Sequence, residues 1–255
     1  MKKVGDTSWA RGLRGLTVFT GLLIIWWLVT RSGVPAFLLP SPAAVAEALW
    51  TGRVFLASHT LITALEIATG LVTGVMLGAV LALCMVFSPR LQRWLMPLVL
   101  TSQAIPVFAL APLLVLWFGF GISAKVAMAV LVIFFPVTSA FFDGLRRVNN
   151  DWLDLARTMG ASRWALLRHV RLMAALPSFG SGLRMAAAVA PIGAIIGEWV
   201  GSGEGLGYVM LNANARMQTD LCFAALFILV VMTVLLWLTI DAVLTRLINW
   251  APNNE

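Results

Sequence analysis

Charge is what this chain has least of. Only 11% of its 255 residues are Asp, Glu, Lys or Arg, while 60% are hydrophobic; a soluble domain carries roughly 25% charged residues. Such a chain cannot cover itself with a hydrated surface, which excludes a soluble globular protein and leaves a one-domain integral membrane protein. Cysteine is scarce as well. Cys84 and Cys222 both fall inside apolar runs, which speaks against a disulfide framework and suits small buried hydrophobes. The two histidines, His59 and His169, stand alone, so no cluster has metal-ligand spacing and no metal is expected. Lysine is nearly missing: Lys2, Lys3 and Lys125 are the only ones, and none follows a glycine. A P-loop needs Gly-Lys-Ser/Thr, so this chain is not expected to bind ATP in that way, nor any cofactor of its own.

What the sequence does have is long apolar runs. A helix needs about 20 apolar residues to cross the hydrocarbon, and six segments qualify: 15–30, 61–87, 94–118, 124–142, 183–200 and 221–247. The fold class is therefore all-α with six transmembrane helices. The cytoplasmic N-terminus is residues 1–14, the membrane domain 15–247 and the tail 248–255. The first run is short enough for a signal-peptide core, but no A-x-A cleavage site follows Trp26-Trp27, so it reads as an uncleaved anchor. With the N-terminus inside, 14 of the 18 basic residues are cytoplasmic and only Arg31, Arg53, Lys125 and Arg216 lie outside. The positive-inside rule then sets both termini in the cytoplasm.

Several features interrupt the apolar runs. Gly70, Gly74 and Gly78 form a double G-x-x-x-G face that allows close backbone approach, either within the chain or to a second copy. Prolines break the third span (Pro97, Pro106, Pro112), the fourth (Pro136) and the fifth (Pro191), and kinked spans suit a pathway. Glu66 and Glu198 lie in the outer half, with Lys125 as the available counter-ion. One reading is a structural ion pair; the other places Glu66, Gln103, Pro106, Pro191 and Glu198 along a translocation pathway. Outside, Ala43–Trp50 reads as a short amphipathic helix capped by Ser41, and the cluster Gly201, Gly203, Gly205, Gly207 as a flexible turn.

The most distinctive stretch is a polar, arginine-rich island between the fourth and fifth spans, Asp151–Pro177, within a loop of residues 143–181. Asp151 and Asp154 suit a helix start, Gly160 permits a turn, and Ser162 is placed to cap a second helix. Trp164, Leu166, Leu167 and Val170 alternate there with Arg163, Arg168 and Arg171. Apolar knobs among arginines suit a protein groove or an anionic lipid surface. DNA is disfavoured, because the loop is tethered to membrane spans at both ends.

The spacing Asp154-x-Ala156-x-x-x-Gly160, nine residues, then Val170-x-Leu172 resembles the E-A-A-x-x-x-G-x(9)-I-x-L-P signature of permease subunits of type I ABC importers. Asp154 replaces the Glu, and Met173 stands where the family has proline. The likeness extends over Leu39–Pro42, Ala111–Gly119, Arg157–Trp164 and Gly205–Tyr208, which are similar to the branch importing sulfonates, nitrate, taurine and thiamine-related pyrimidines. It implies a bacterial inner-membrane importer permease, not itself an enzyme. A coupling helix comprising Asp154, Ala156, Arg157, Gly160, Ala161, Ser162, Arg163, Trp164 and Leu167 would dock on a separate ATPase. The implied partners are two ATPase copies carrying ATP and Mg, a substrate-binding protein, a second permease copy and membrane lipid. Glu66, Ile196–Trp199 and Asp143–Leu145 look more like permeases for a hydroxymethylpyrimidine-type thiamine precursor than like sulfonate, taurine or nitrate permeases. Two acidic groups near the outer mouth would also repel those anions, unless Lys125 or Arg31 neutralises them. The rival class is an ATP-independent secondary transporter or channel.

Overall fold

The structure is a computed structural model that describes residues 8–250. Of the segments assigned to the cytoplasm, residues 1–7 (with Lys2 and Lys3) and 251–255 lie outside the described residues. Every regular element among the described residues is helical, because a helix satisfies its own backbone groups where no water can. The described residues divide into two compact units, residues 8–57 with 209–227, and residues 58–208 with 228–250.

In the first unit, α1 (Ser8–Arg31) carries the apolar helix Thr20–Arg31. Helix α2 (Pro42–Thr51) starts where its residues dictate: the Ser41 hydroxyl accepts the Ala44 amide at 3.2 Å and Pro42 takes the first turn, a position that lacks a helical partner anyway. The segment before it is tied down. Trp26 Nε1 donates to the Pro40 carbonyl at 3.1 Å, and the Thr219 hydroxyl donates to the Ala36 carbonyl at 3.0 Å.

The second unit is a helical bundle. Helix α3 (Arg53–Phe87) enters it at Ser58. It is followed by α4 (Pro89–Ala104), α5 (Val107–Phe118), α6 (Ile122–Arg146), α7 (Asn150–Thr158) and α8 (Arg163–Gly201). Helix α9 (Leu206–Ala215) begins in this unit, and α10 (Thr219–Leu247) rejoins it at Ile228. Small residues set its geometry. Helices α6 and α8 run antiparallel in close contact, Gly144 facing Ser178, Gly182 facing Pro136 and Ala140, and Gly193 facing Ala129. Helix α3 runs parallel to α6 with Gly74 on Ile133 and Gly78 on Val137, where an added Cβ would come within 2.7–2.9 Å of its neighbours. The glycine stripe is thus occupied within the chain. Ala129, Ile133, Val137, Ala186, Ala190 and Ala194 close the centre with no exposed surface.

Two expected spans have different shapes. The third is not one helix: α4 and α5 meet at a 104° bend. Ile105 there is extended (φ −88°, ψ 118°), as a residue before proline must be, while Pro97 and Pro112 stay inside their helices. The fifth begins 20 residues earlier than Leu183, because the second arm of the island and the span are one rod of 39 residues, Arg163–Gly201. It absorbs Pro177 and Pro191 and contains a π turn at Leu166–Arg171. Among the described residues four helices are long and apolar enough to cross a membrane by themselves, and the bent pair, taken as one span, makes a fifth. With the apolar part of α1, this is compatible with six.

Candidate functional site: an exposed elbow and a buried polar latch

At one end of the second unit, α7 and the start of α8 form an elbow. The Asn149 side chain accepts the Asp151 amide at 2.9 Å. The helix ends in a left-handed glycine: Gly160 has φ 80°, its amide donates to the Arg157 carbonyl at 2.9 Å, and the Ala161 amide donates to the Ala156 carbonyl at 3.0 Å. This six-to-one plus five-to-two pattern is a Schellman close, which explains glycine at 160 and small residues at 156 and 161. The Ser162 hydroxyl then accepts the Ala165 amide at 3.2 Å and starts α8. Leu153 and Leu166 are buried against Val148, pinning the two arms together.

Four large apolar side chains of the elbow point outward. Trp152, Leu155, Met159 and Trp164 are 57%, 62%, 79% and 62% exposed. Trp152, Leu155 and Met159 border a cleft of about 600 Å³, closed on its other sides by Val170, Pro177 and Trp250. Asp154 pairs with Arg157 at 2.7 Å on the surface, a contact worth under about 1 kcal/mol. All nine residues expected in a docking surface lie on the elbow. Leu167, however, is buried at 5% and packs into the core with Met85, Phe141 and Leu145 rather than presenting a face.

At the other end lies a polar latch. His59, Thr63 and Glu66 recur on one face of α3. Glu66 meets Lys125 of α6 at 2.5 Å, both buried. The Thr63 hydroxyl donates to Glu198 Oε1 at 2.6 Å and accepts the Leu206 amide at 2.8 Å. The Gly205 amide donates to His59 Nδ1 at 2.9 Å, and the Gly207 amide donates to Glu198 Oε2. Three successive amides at the start of α9, donors that a helix leaves without internal partners, are therefore taken up by side chains of α3 and α8. The glycine cluster expected as a flexible turn is anchored at this point. Gly205 has φ 104°, and a Cβ there would run into the Glu198 carboxylate. One buried oxygen, Glu66 Oε2, bonds nothing.

The five residues read as a pathway do not converge. Glu66 and Glu198 are 2% and 1% exposed within the latch. Pro191 is buried, whereas Gln103 and Pro106 are exposed at the α4–α5 bend. Sequence reading missed His59, Thr63 and the three amides, although a polar stripe at four- and three-residue spacing in an apolar helix was a usable signal. It also missed Asp241, which accepts from Arg184 Nε at 2.6 Å.

Residues 74–250 match the family described as binding-protein-dependent transport system inner membrane component. A probable ABC transporter permease protein of Haemophilus influenzae is 53% identical over 93% of this chain and 98% of its own length. The formylaminopyrimidine transport permease of Halalkalibacterium halodurans is 38% identical, with 91% and 93% covered. The riboflavin transport system permease of Chloroflexus aurantiacus is 37% identical, with 92% and 90% covered.

Proposed function

This chain belongs to the family of binding-protein-dependent transport system inner membrane components, the permeases of ABC transporters, and we propose that its elbow is the surface on which a separate ATPase subunit docks. The observation that carries this reading is the row Trp152, Leu155 and Met159, left exposed beside an apolar cleft on an elbow whose backbone is capped at every joint. A helix lying on lipid needs an apolar face but no cleft; a protein knob fills one. Both termini and the elbow lie in the cytoplasm and the latch outside, following the basic-residue bias.

Force has a direct route through the chain. Helix α8 runs from Arg163 in the elbow to Glu198 in the latch, a rod of about 53 Å at 1.5 Å per residue. Closure of two ATPase copies moves two elbows, and each rod carries the displacement to its outer end. This is rigid-body alternating access, with the pathway between two copies of this chain and Gln103 and Pro106 facing it. The cargo we propose is a thiamine-related pyrimidine delivered by a binding protein. Since Lys125 neutralises Glu66, repulsion of anions no longer supports this choice. Its support is the formylaminopyrimidine relative. The riboflavin relative stands at nearly equal identity and makes a flavin the second reading.

Tagged full-length chain purified from native membranes is expected to bring down an ATP-hydrolysing subunit; a chain that transports alone on an ion gradient overturns the reading. In the complete complex with its binding protein, formylaminopyrimidine should stimulate ATP turnover at concentrations where taurine and riboflavin are silent. Stimulation by either of those instead would reassign the cargo.

A further inference from the structure

Beside the elbow, on the side away from the apolar cleft, is a second pocket of about 340 Å³ lined by three arginines: Arg157 of α7, and Arg163 and Arg171 of α8. The floor is Leu153, Leu166 and Leu167, all buried. The remaining wall is Val86 and Phe87, the last residues of the apolar helix α3. Like charges do not gather without cause. Arg157 is partly committed to Asp154 at the rim, and among the described ion pairs no carboxylate meets Arg163 or Arg171.

The backbone contributes to this convergence. Eight residues of regular α-helix would leave Arg163 and Arg171 about 80° apart around the axis, at about 100° per residue. The π turn at Leu166–Arg171 falls between them. It makes i→i+5 bonds and holds an extra residue per turn, which swings Arg171 back towards the side of Arg163. A local departure from α geometry is thus spent on bringing two cations to one cavity. Phe87 and Trp164 stack with ring centroids 6.4 Å apart at an interplanar angle of 14° next to the opening, and both are more than half exposed.

We propose that this pocket holds the phosphate of an anionic phospholipid headgroup from the leaflet that α3 leaves at Phe87. Arginine forks match phosphate oxygens, and basic pockets between helices at a membrane surface suit anionic headgroups. The apolar wall distinguishes a lipid from free phosphate, since acyl chains continue along Val86 and Phe87 where an inorganic ion leaves that wall bare. The inference does not rest on ATPase docking, and its primary readout is lipid retention.

The experiment is native mass spectrometry of the full-length chain in mild detergent, titrated with phosphatidylglycerol, phosphatidylcholine or inorganic phosphate. The wild type is expected to keep one phosphatidylglycerol per chain, in preference to phosphatidylcholine by roughly thirtyfold, the attraction of about two basic side chains. Arg163→Gln with Arg171→Gln should abolish that preference, while Arg163→Lys with Arg171→Lys retains part of it and guards against misfolding. Inorganic phosphate should fail to displace the lipid. Equal retention of both lipids, an unchanged preference in the glutamine variant, or displacement by inorganic phosphate overturns the proposal. So does a glutamine variant that keeps its lipid but loses a co-purified ATPase, because the arginines then belong to the docking surface.

Discussion

The two ends of the second unit are finished in opposite ways. At the latch, two carboxyls, a lysine, a histidine, a threonine and three backbone amides are drawn inside and bonded to one another, leaving a single oxygen over. At the elbow, the backbone is capped at its turns but Trp152, Leu155, Met159 and Trp164 stay outside. A region that satisfies itself holds the fold together. A region that is rigid yet uncovered waits for something. The contrast separates stability from function: damage at the latch should unfold the chain, whereas damage on the elbow face should leave it folded and uncoupled.

The sharpest test of the first half is Lys125→Met, which strands Glu66 as a buried charge and should cost about 3–5 kcal/mol, read as lost thermal stability in detergent. Adding Glu66→Leu to it should restore most of that loss, since an apolar pair of similar size replaces the ions. If the single change is harmless, the ion pair does not hold this end. Glu198→Ala comes next: it removes the acceptor of Thr63 and the Gly207 amide, and about 1–3 kcal/mol is expected for each buried donor left unpaired. Gly78→Val should then cost about 1–3 kcal/mol by overpacking against Val137. On the elbow, Gly160→Ala should cost about 1–2 kcal/mol for its left-handed backbone, and ATP-coupled uptake should fall by more than the fold does. Smallest in stability is Leu155→Asp, within about 0.5 kcal/mol because the side chain is exposed, yet uptake should be lost. A melting point lowered as far as by Glu198→Ala would erase the distinction between the two ends.

The elbow was the more legible of the two. Gly160 and Ser162 announce a turn and a cap through residue type and local spacing alone, because caps and Schellman closes are decided within six residues. The 104° bend was half visible: Pro106 marked a break, but a proline also sits quietly inside α4 at Pro97 and inside α5 at Pro112. Whether a proline bends or merely removes one hydrogen bond depends on what packs around it. The latch was nearly invisible. Thr63 and Glu198 are 135 residues apart, and nothing local in Gly205-Leu206-Gly207 tells an anchored turn from a loose one. The joining of the island's second arm to the fifth span was missed because Pro177 read as an end, and the π turn within it has no sequence mark that we recognise.

The most direct measurement is photo-crosslinking in native membranes from a benzophenone amino acid at Leu155, with a second probe at buried Leu153 as control. The account predicts one dominant adduct from Leu155 to an ATP-hydrolysing polypeptide, its yield changing with nucleotide, and none from Leu153. Adducts from Leu155 to phospholipid alone would show the elbow lying in the headgroups and would contradict the account.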